Sequence, residues 1–313
     1  MNKIKYYWQR SGKKMSWVIG YRKKKEESIL SDLETPFNTL DLPSGTWGAD
    51  PFLFEYNGDT YIFFEWFFEK KEKGVIACIK LSGDKLSAPE IVLEEPFHLS
   101  FPCVFSYNGT IYMIPETGSM HNIVLYKCVD FPSKWEKEKE LLSGVNSSDT
   151  IVWNYNGNMF VIASILYGNP STASNKIYQL DMDELELRQT DGSSEYGNEG
   201  YRNAGFIFED KKVMYRPGQD CENNQYGKGL VFWKVSLENG KYNENKEKTI
   251  YIADLSINND TTFCGTHTYN VSQKYEVIDL KILKKKNCTE HLCTFVKIIG
   301  KYMLINVKGS VNE

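Results

Sequence analysis

Three stretches of the chain alternate apolar and polar positions around one tripeptide. Residues 50–65 read DPFLFEYNGDTYIFFE, residues 101–116 read FPCVFSYNGTIYMIPE, and residues 149–164 read DTIVWNYNGNMFVIAS. In each, an aromatic-rich run leads into Tyr-Asn-Gly and a second run follows. Asn-Gly between two such runs suits a type I′ turn, whose two central residues need positive φ, so each stretch is predicted to be a two-stranded antiparallel hairpin. Weaker copies, Asn203–Pro217 (NAGFIFEDKKVMYRP) and His267–Lys281 (HTYNVSQKYEVIDLK), keep the flanking runs with a different polar turn. The copies start near 50, 101, 149, 203 and 267. A period of roughly fifty residues suits four strands per unit and predicts an all-β, five-bladed propeller.

Further strands are expected at Gly74–Leu81, Ile123–Cys128, Ile177–Leu180 and Gly229–Val235, the outer strands of the blades. Trp17–Tyr21 is a candidate strand for closing the ring from the N-terminal side. Helical periodicity is nearly absent: the one long amphipathic run, Arg22–Leu33, lacks a clean apolar stripe. A two-layer β-sandwich would also contain many short strands, but it does not explain a hairpin that returns in phase.

Composition narrows the function. Of 313 residues, 41% are apolar and 14% aromatic, which excludes a disordered chain and supplies a core for one propeller domain over 1–313. With 37 Lys+Arg against 41 Asp+Glu the formal net charge is −4, which argues against a general nucleic-acid binder. The basic N-terminus is followed only by the short apolar stretch Ser16–Tyr21, too short for a signal peptide or a membrane span, so a cytoplasmic protein is expected. The 7 cysteines are scattered without a CxxC pair, which fits a reducing compartment. Cys288, His291 and Cys293 lie close together but lack a fourth zinc ligand. N-x-S/T triplets at Asn108, Asn146, Asn259, Asn270 and Asn287 carry no meaning in a cytoplasmic chain.

Counting outward from Asn57-Gly58 sets Tyr56 opposite Asp59 and Asp50 opposite Glu65. The same count sets Phe101 opposite Glu116 and Asp149 opposite Ser164. Hairpins arranged radially bring corresponding rims together, so Asp50, Glu65, Glu116 and Asp149 are expected around one mouth of the central channel. Carboxylates crowded in a partly desolvated opening raise one another's pKa, leaving one as a proton donor and another as a base, the division that glycoside chemistry requires. Arg202 and Asn203 take the corresponding place in the fourth unit, Arg216, Gln219 and Asp220 follow on its second strand, and His267 opens the fifth. A guanidinium there would bind a substrate carboxylate or phosphate, or would pin a neighbouring acid.

The runs WGADPFLFEYNGDTYIFFEW (47–66), HLSFPCVFSYNGTIYMIPET (98–117), LYKCVDFPSKWEKEKELLSG (125–144) and RNAGFIFEDKKVMYRPGQDCENNQYG (202–227) closely resemble the N-terminal propeller domain of plant glucosamine inositolphosphorylceramide transferases. Similar domains occur in bacterial surface-polysaccharide gene clusters. That propeller is in turn similar to five-bladed glycosidases of the arabinanase, xylosidase and fructosidase kind. The resemblance covers about residues 45–280. It implies Asp50 as base or nucleophile, Glu116 and Asp149 as acid and pKa-tuning partner in an open order, and His98 and Arg202 as substrate contacts. Two departures are noted: no transferase domain is expected, so that any activity is expected to belong to the propeller, and Phe101 stands where the glycosidases carry an aspartate.

The leading expectation is therefore a carbohydrate-active enzyme that transfers or hydrolyses a glycosyl unit at the propeller mouth in bacterial surface-polysaccharide biosynthesis. Its partners would be a glycan or activated sugar and other polysaccharide-assembly enzymes. The catalytic set is Asp50, Glu116 and Asp149, with Glu116 as proton donor; Glu65, His98, Arg202, Asn203, Arg216, Gln219, Asp220 and His267 form the substrate-binding set. No cofactor is called for, although the acids and His267 offer ligands to a divalent cation such as Ca²⁺. The rival is a non-catalytic module that binds a glycan or a protein partner.

Overall fold

In all three Tyr-Asn-Gly hairpins the turn residues have positive φ: 50° and 84° at Asn57 and Gly58, 47° and 78° at Asn108 and Gly109, and 52° and 82° at Asn156 and Gly157. These are type I′ values, whose twist matches the flanking strands. The register follows as expected next to each turn, with Tyr56 opposite Asp59, Tyr107 opposite Thr110 and Tyr155 opposite Asn158.

The computed structural model describes residues 12–83, 85–238 and 241–286 and the single positions 292, 294 and 296. Cys288, His291 and Cys293 lie outside the described residues. The chain divides into a unit Trp17–Leu280 and a second unit made of Met1–Ser16 and Lys281–Glu313.

Among the described residues the strands form five antiparallel sheets, the blades of a five-bladed propeller. The first blade has Thr46–Tyr56, Asp59–Phe68 and Lys73–Ser82, with Lys85–Leu86 and Glu90–Leu93 along its outer edge. The second has Ser100–Tyr107, Thr110–Glu116, Asn122–Asp130 and Lys134–Ser143, and the third Ser147–Tyr155, Asn158–Tyr167, Asn169–Asp181 and Glu186–Ser193. In the fourth, Glu199–Asn203 and the short Phe208–Asp210 both pair with Val213–Asp220, followed by Gly229–Glu238 and Lys241–Tyr251. Here the turn is made by Lys211 and Lys212, both at positive φ. The fifth blade joins Tyr269–Val271 and Tyr275–Lys285 to Lys13–Lys23 and Asn38–Thr39, so the early strand around Trp17 closes the ring.

Hydrogen bonds between consecutive blades close the circle. Phe101 N–H donates to Asp50 (3.3 Å), Asp149 N–H to Glu116 (2.9 Å), Asn203 Nδ2 to the Asp149 carbonyl (2.8 Å), Tyr269 N–H to the Ala204 carbonyl (2.7 Å), and Asn270 Nδ2 to the Pro51 carbonyl (2.8 Å). Between these contacts the blades pack buried apolar faces. Phe52 meets Phe101 edge-on with ring centroids 4.8 Å apart, and Phe232 meets Tyr269 at 5.5 Å. Burial of such rings stabilises the packing of one blade on the next.

One feature of the ladders departs from the simple count. Ala49, not Asp50, pairs with Glu65; Ser100 pairs with Glu116, and Ser148 with Ser164. The register shifts between Ala49 and Phe52, between Ser100 and Cys103, and between Ser148 and Ile151, so two residues oppose one. These are β-bulges at equivalent places in three blades. Asp50, Phe101 and Asp149 occupy them with φ of 51°, 47° and 48°. Aspartate tolerates this left-handed region, whereas for a bulky aromatic such as Phe101 it is strained. Pro51 and Pro102, which lack an N–H for the ladder, follow two of the three.

Candidate functional site

The bulges set Asp50 and Asp149 at one rim, beside Glu65 and Glu116 from the second strands. Asp50, Glu65 and Asp149 are buried, while Glu116 and His98 keep part of their surface open. The acids share one electrostatic field. Burial raises the Glu65 carboxyl well above the ordinary glutamate value, and the charges of Asp50, Glu116 and Asp279 add to it. The residues expected to converge from three different blades therefore do so.

Each acid has its own surroundings. Asp50 accepts hydrogen bonds from Thr268 Oγ1 (2.8 Å) and Phe101 N–H (3.3 Å), and His267 Nε2 lies 3.5 Å from Oδ1. Burial outweighs the attraction of His267, and Asp279 and Asp149 repel, so the Asp50 pKa is pushed up to about 6. Glu116 Oε2 accepts from the Ser148 hydroxyl and from Asp149 N–H (2.9 Å). Burial first, then the Asp149 charge, push Glu116 up to about 7 against the pull of Arg202. Asp149 is gripped by Arg202, whose Nε reaches Oδ2 at 2.6 Å and whose Nη2 reaches Oδ1 at 3.1 Å. Arg202 also donates to Ser148 Oγ (2.8 Å) and the Pro170 carbonyl (3.0 Å).

Glu65 makes a different kind of contact. His98 Nδ1 accepts Gly74 N–H at 2.9 Å, which leaves the proton of the neutral ring on Nε2, 3.3 Å from Glu65 Oε1. Burial lowers the His98 pKa and raises that of Glu65, so it disfavours the charged form on both sides of this contact. Gly74 is required here: a Cβ would come within 2.7 Å of Glu65 Oε1 and of the Leu99 carbonyl.

On the fifth-blade side of Asp50, buried His267 stacks on Trp17 at 4.0 Å, with Tyr226 edge-on at 4.9 Å. Its Nδ1 lies 2.5 Å from Asp279 Oδ2. Asp279 also accepts the backbone N–H groups of His267 (2.8 Å), Thr268 (3.0 Å) and Asp50 (3.2 Å). Burial alone would raise the Asp279 pKa, but His267 and these bonds bring it below the ordinary value; burial likewise opposes the charged form of His267, and Asp279 and Asp50 more than restore it. Asp50, His267 and Asp279 could each offer a ligand atom to a cation, all within 4.8 Å of one another. A metal there would compete with three backbone donors for the same carboxylate.

The remaining members of the binding set lie within the fourth blade. Arg216 is fully buried, with its guanidinium on Glu244 (2.8 Å), the Gly200 carbonyl (3.1 Å), Tyr242 (3.3 Å) and Asn203 Oδ1 (3.3 Å). Asn203 Nδ2 ties the Asp149 and Ile162 carbonyls, Gln219 donates to the Asn203 carbonyl (2.8 Å), and Asp220 pairs with Lys228 (2.9 Å). The expectation of a guanidinium free to hold substrate is corrected for Arg216, whose donors are consumed by its own blade. For Arg202 it is the other option, pinning an acid, that the structure displays. Four participants escaped the sequence reading: Asp279, Thr268, Ser148 and Tyr226. The sequence signal for Asp279 is a lone carboxylate inside the apolar run Val277–Leu280.

Comparison with known proteins gives a consistent picture. The family described as "Glucosamine inositolphosphorylceramide transferase 1, N-terminal" matches residues 38–287. The chain is 32% identical over 246 residues to the glucosamine inositolphosphorylceramide transferase 1 of Arabidopsis thaliana, covering 76% of this chain and 32% of that protein. It is 31% identical over 205 residues to the protein of that name from Oryza sativa subsp. japonica, covering 63% and 27%. The chain thus spans about a third or less of these relatives. Among solved structures, the GH43_1 enzyme from Xanthomonas citri complexed with xylose superposes with a TM-score of 0.54 at 11% identity, over 78% of this chain and 88% of that one. The GH32 β-fructofuranosidase of Bombyx mori gives 0.51 at 12%, over 68% and 54%. These likenesses show the five-bladed propeller fold.

Proposed function

The chain belongs to the glucosamine inositolphosphorylceramide transferase 1, N-terminal family, and from that premise we propose that its propeller mouth is a carbohydrate-active site that transfers or hydrolyses a glycosyl unit. The observation that carries this reading is the unequal environment of carboxylates from adjoining blades: Glu116 pushed up to about 7 and Asp50 to about 6 at one rim. Glu116, partly open, is the proton donor to the leaving oxygen. Asp50, whose anion receives Thr268 and Phe101 donors, is the base or nucleophile. Asp149, ion-paired with Arg202, tunes Glu116. Glu65 and His98 contact the sugar next to the reacting bond. His267 positions Asp50.

The relatives compared above are plant proteins named for glucosamine and inositolphosphorylceramide. That favours a sugar acceptor or donor built on an inositol-phosphoryl lipid over a bacterial surface polysaccharide. The reading requires neither a divalent cation nor a particular compartment.

A second reading, a binding module without turnover, is favoured by one observation: both oxygens of Asp50 and of Asp149 are engaged by protein groups. Asp50→Asn and Glu116→Gln separate the two. With nucleotide sugars and aryl glycosides as substrates, each substitution is expected to lower kcat about 10²–10⁴-fold while ligand binding survives. The wild-type rate should be highest between about pH 6 and 7, since Asp50 must lose its proton and Glu116 must keep one. Unchanged turnover in both variants would remove these roles, and glycan binding with no turnover in the wild type would establish the module.

A further inference from the structure

The surroundings of Glu116 are asymmetric. Its Oε2 receives two donors, the Ser148 hydroxyl and Asp149 N–H. Oε1 lies beside Gly118, where a Cβ would come within 3.1 Å of it. Ser148 is itself a hydrogen-bond acceptor for Arg202 Nη2 at 2.8 Å. A guanidinium can only donate, so the lone-pair side of Ser148 Oγ is taken and its single proton is left for Glu116. Arg202 cannot swing away, being held by both oxygens of Asp149 and by the Pro170 carbonyl.

We propose that Ser148 is a positioning residue for the acid of this site: locked by Arg202 with its proton aimed at Glu116 Oε2, it fixes the transferable proton of Glu116 on Oε1, the oxygen left uncovered by Gly118. A carboxylic OH oxygen carries its own proton and accepts poorly, so the oxygen that receives two donors is the carbonyl oxygen of the protonated acid. Proton transfer then breaks the Oε1–H bond, hands the proton to the leaving oxygen, and leaves a carboxylate whose Oε2 already has its two donors. The product anion is solvated in advance, with no side-chain movement. The charged groups that face Glu116 are Asp149 and Arg202, and Glu65 feels its charge from the first blade. Ser148 is a neutral group interposed among them.

This proposal rests on the reading of Glu116 as an acid, and its test does not need turnover. In protein labelled with ¹³C at the glutamate side-chain carboxyl, the Glu116 signal is assigned by its disappearance in Glu116→Gln and titrated in the wild type and in Ser148→Ala. Loss of a donor to the anion is expected to move the midpoint upward by about one pH unit, and Ser148→Thr, which keeps the hydroxyl, to restore it. The alkaline limb of any pH–rate profile should move with it. Gly118→Ala, a substitution at a residue without positive φ, is expected to lower kcat at unchanged KM by crowding Oε1. A midpoint that stays put or falls in Ser148→Ala overturns the proposal. A shifted midpoint in a protein that turns over neither nucleotide sugars nor glycosides leaves the role of Ser148 intact and overturns the enzymatic reading instead.

Discussion

The first and third blades use the same backbone device and reach different electrostatic ends. Each carries an aspartate at a bulge with left-handed φ, at 51° for Asp50 and 48° for Asp149, within an inner strand that ends in an Asn-Gly turn. Asp149 meets Arg202 from the next blade, a cation that does not titrate below pH 12. Asp50 meets His267 from the blade that closes the ring, and that imidazole can lose its charge. One carboxylate is compensated at any pH a cell offers, while the other depends on a titrating partner. The second blade sharpens the point: its bulge holds Phe101, so a carboxylate is not what the bulge needs, and the acids at the neighbouring bulges serve the mouth.

The largest break in this comparison is Arg202→Met. It strips a buried aspartate of its bidentate partner and is expected to cost about 3–5 kcal/mol in urea unfolding at neutral pH, with no relief in alkali because the lost cation does not titrate there. A cost below about 1 kcal/mol would mean that Asp149 finds another partner without penalty.

Asp279→Asn probes the first blade's arrangement. It should cost about 2 kcal/mol at pH 6, the scale of a hydrogen bond to a charged group. The sign follows from linkage. His267 has a folded pKa above its ordinary 6.5, so its contribution is complete below that value and is lost as pH rises through the folded pKa. The lowered pKa of Asp279 contributes above 3.8 and fails only as pH falls through it. The gap between wild type and Asp279→Asn should therefore narrow in alkali, unlike that of Arg202→Met. Parallel curves would show that His267 carries no charge to lose.

The smallest effect serves as the control. Gly58→Ala and Gly157→Ala, at φ of 84° and 82° with no atom within 4 Å of the added Cβ, should each cost about 1 kcal/mol. Unequal costs would mean that the hairpins differ in more than their charges.

Much of this was legible in the sequence because Asn-Gly specifies a turn locally, and a turn specifies the register next to it. Those signals place Asp50, Glu65, Glu116 and Asp149 together from the sequence alone. The one-residue offset was not legible by counting, since a bulge breaks the ladder that counting assumes; the Pro following Asp50 and Phe101 was its available sign. Asp279 is hidden because it stands where the first three blades carry Phe63, Ile114 and Ile162 in their second strands. A search for carboxylates in phase with Glu65 passes it by. Arg216 was misread for the converse reason: it lies on the right strand, but Glu244 and Tyr242 on a more distant strand of the same sheet hold it inside the blade.

Trp17 belongs to the strand that completes the fifth blade, and its indole lies flat against His267. During synthesis, the first blade leaves the ribosome long before residues 267–279 exist, and until they arrive Asp50 has neither its imidazole nor its threonine. A half-made chain can thus form hairpins yet cannot assemble the chemistry between them. The rim is completed late, in the same event that pairs the early strand Lys13–Lys23 with the late strand Tyr275–Lys285.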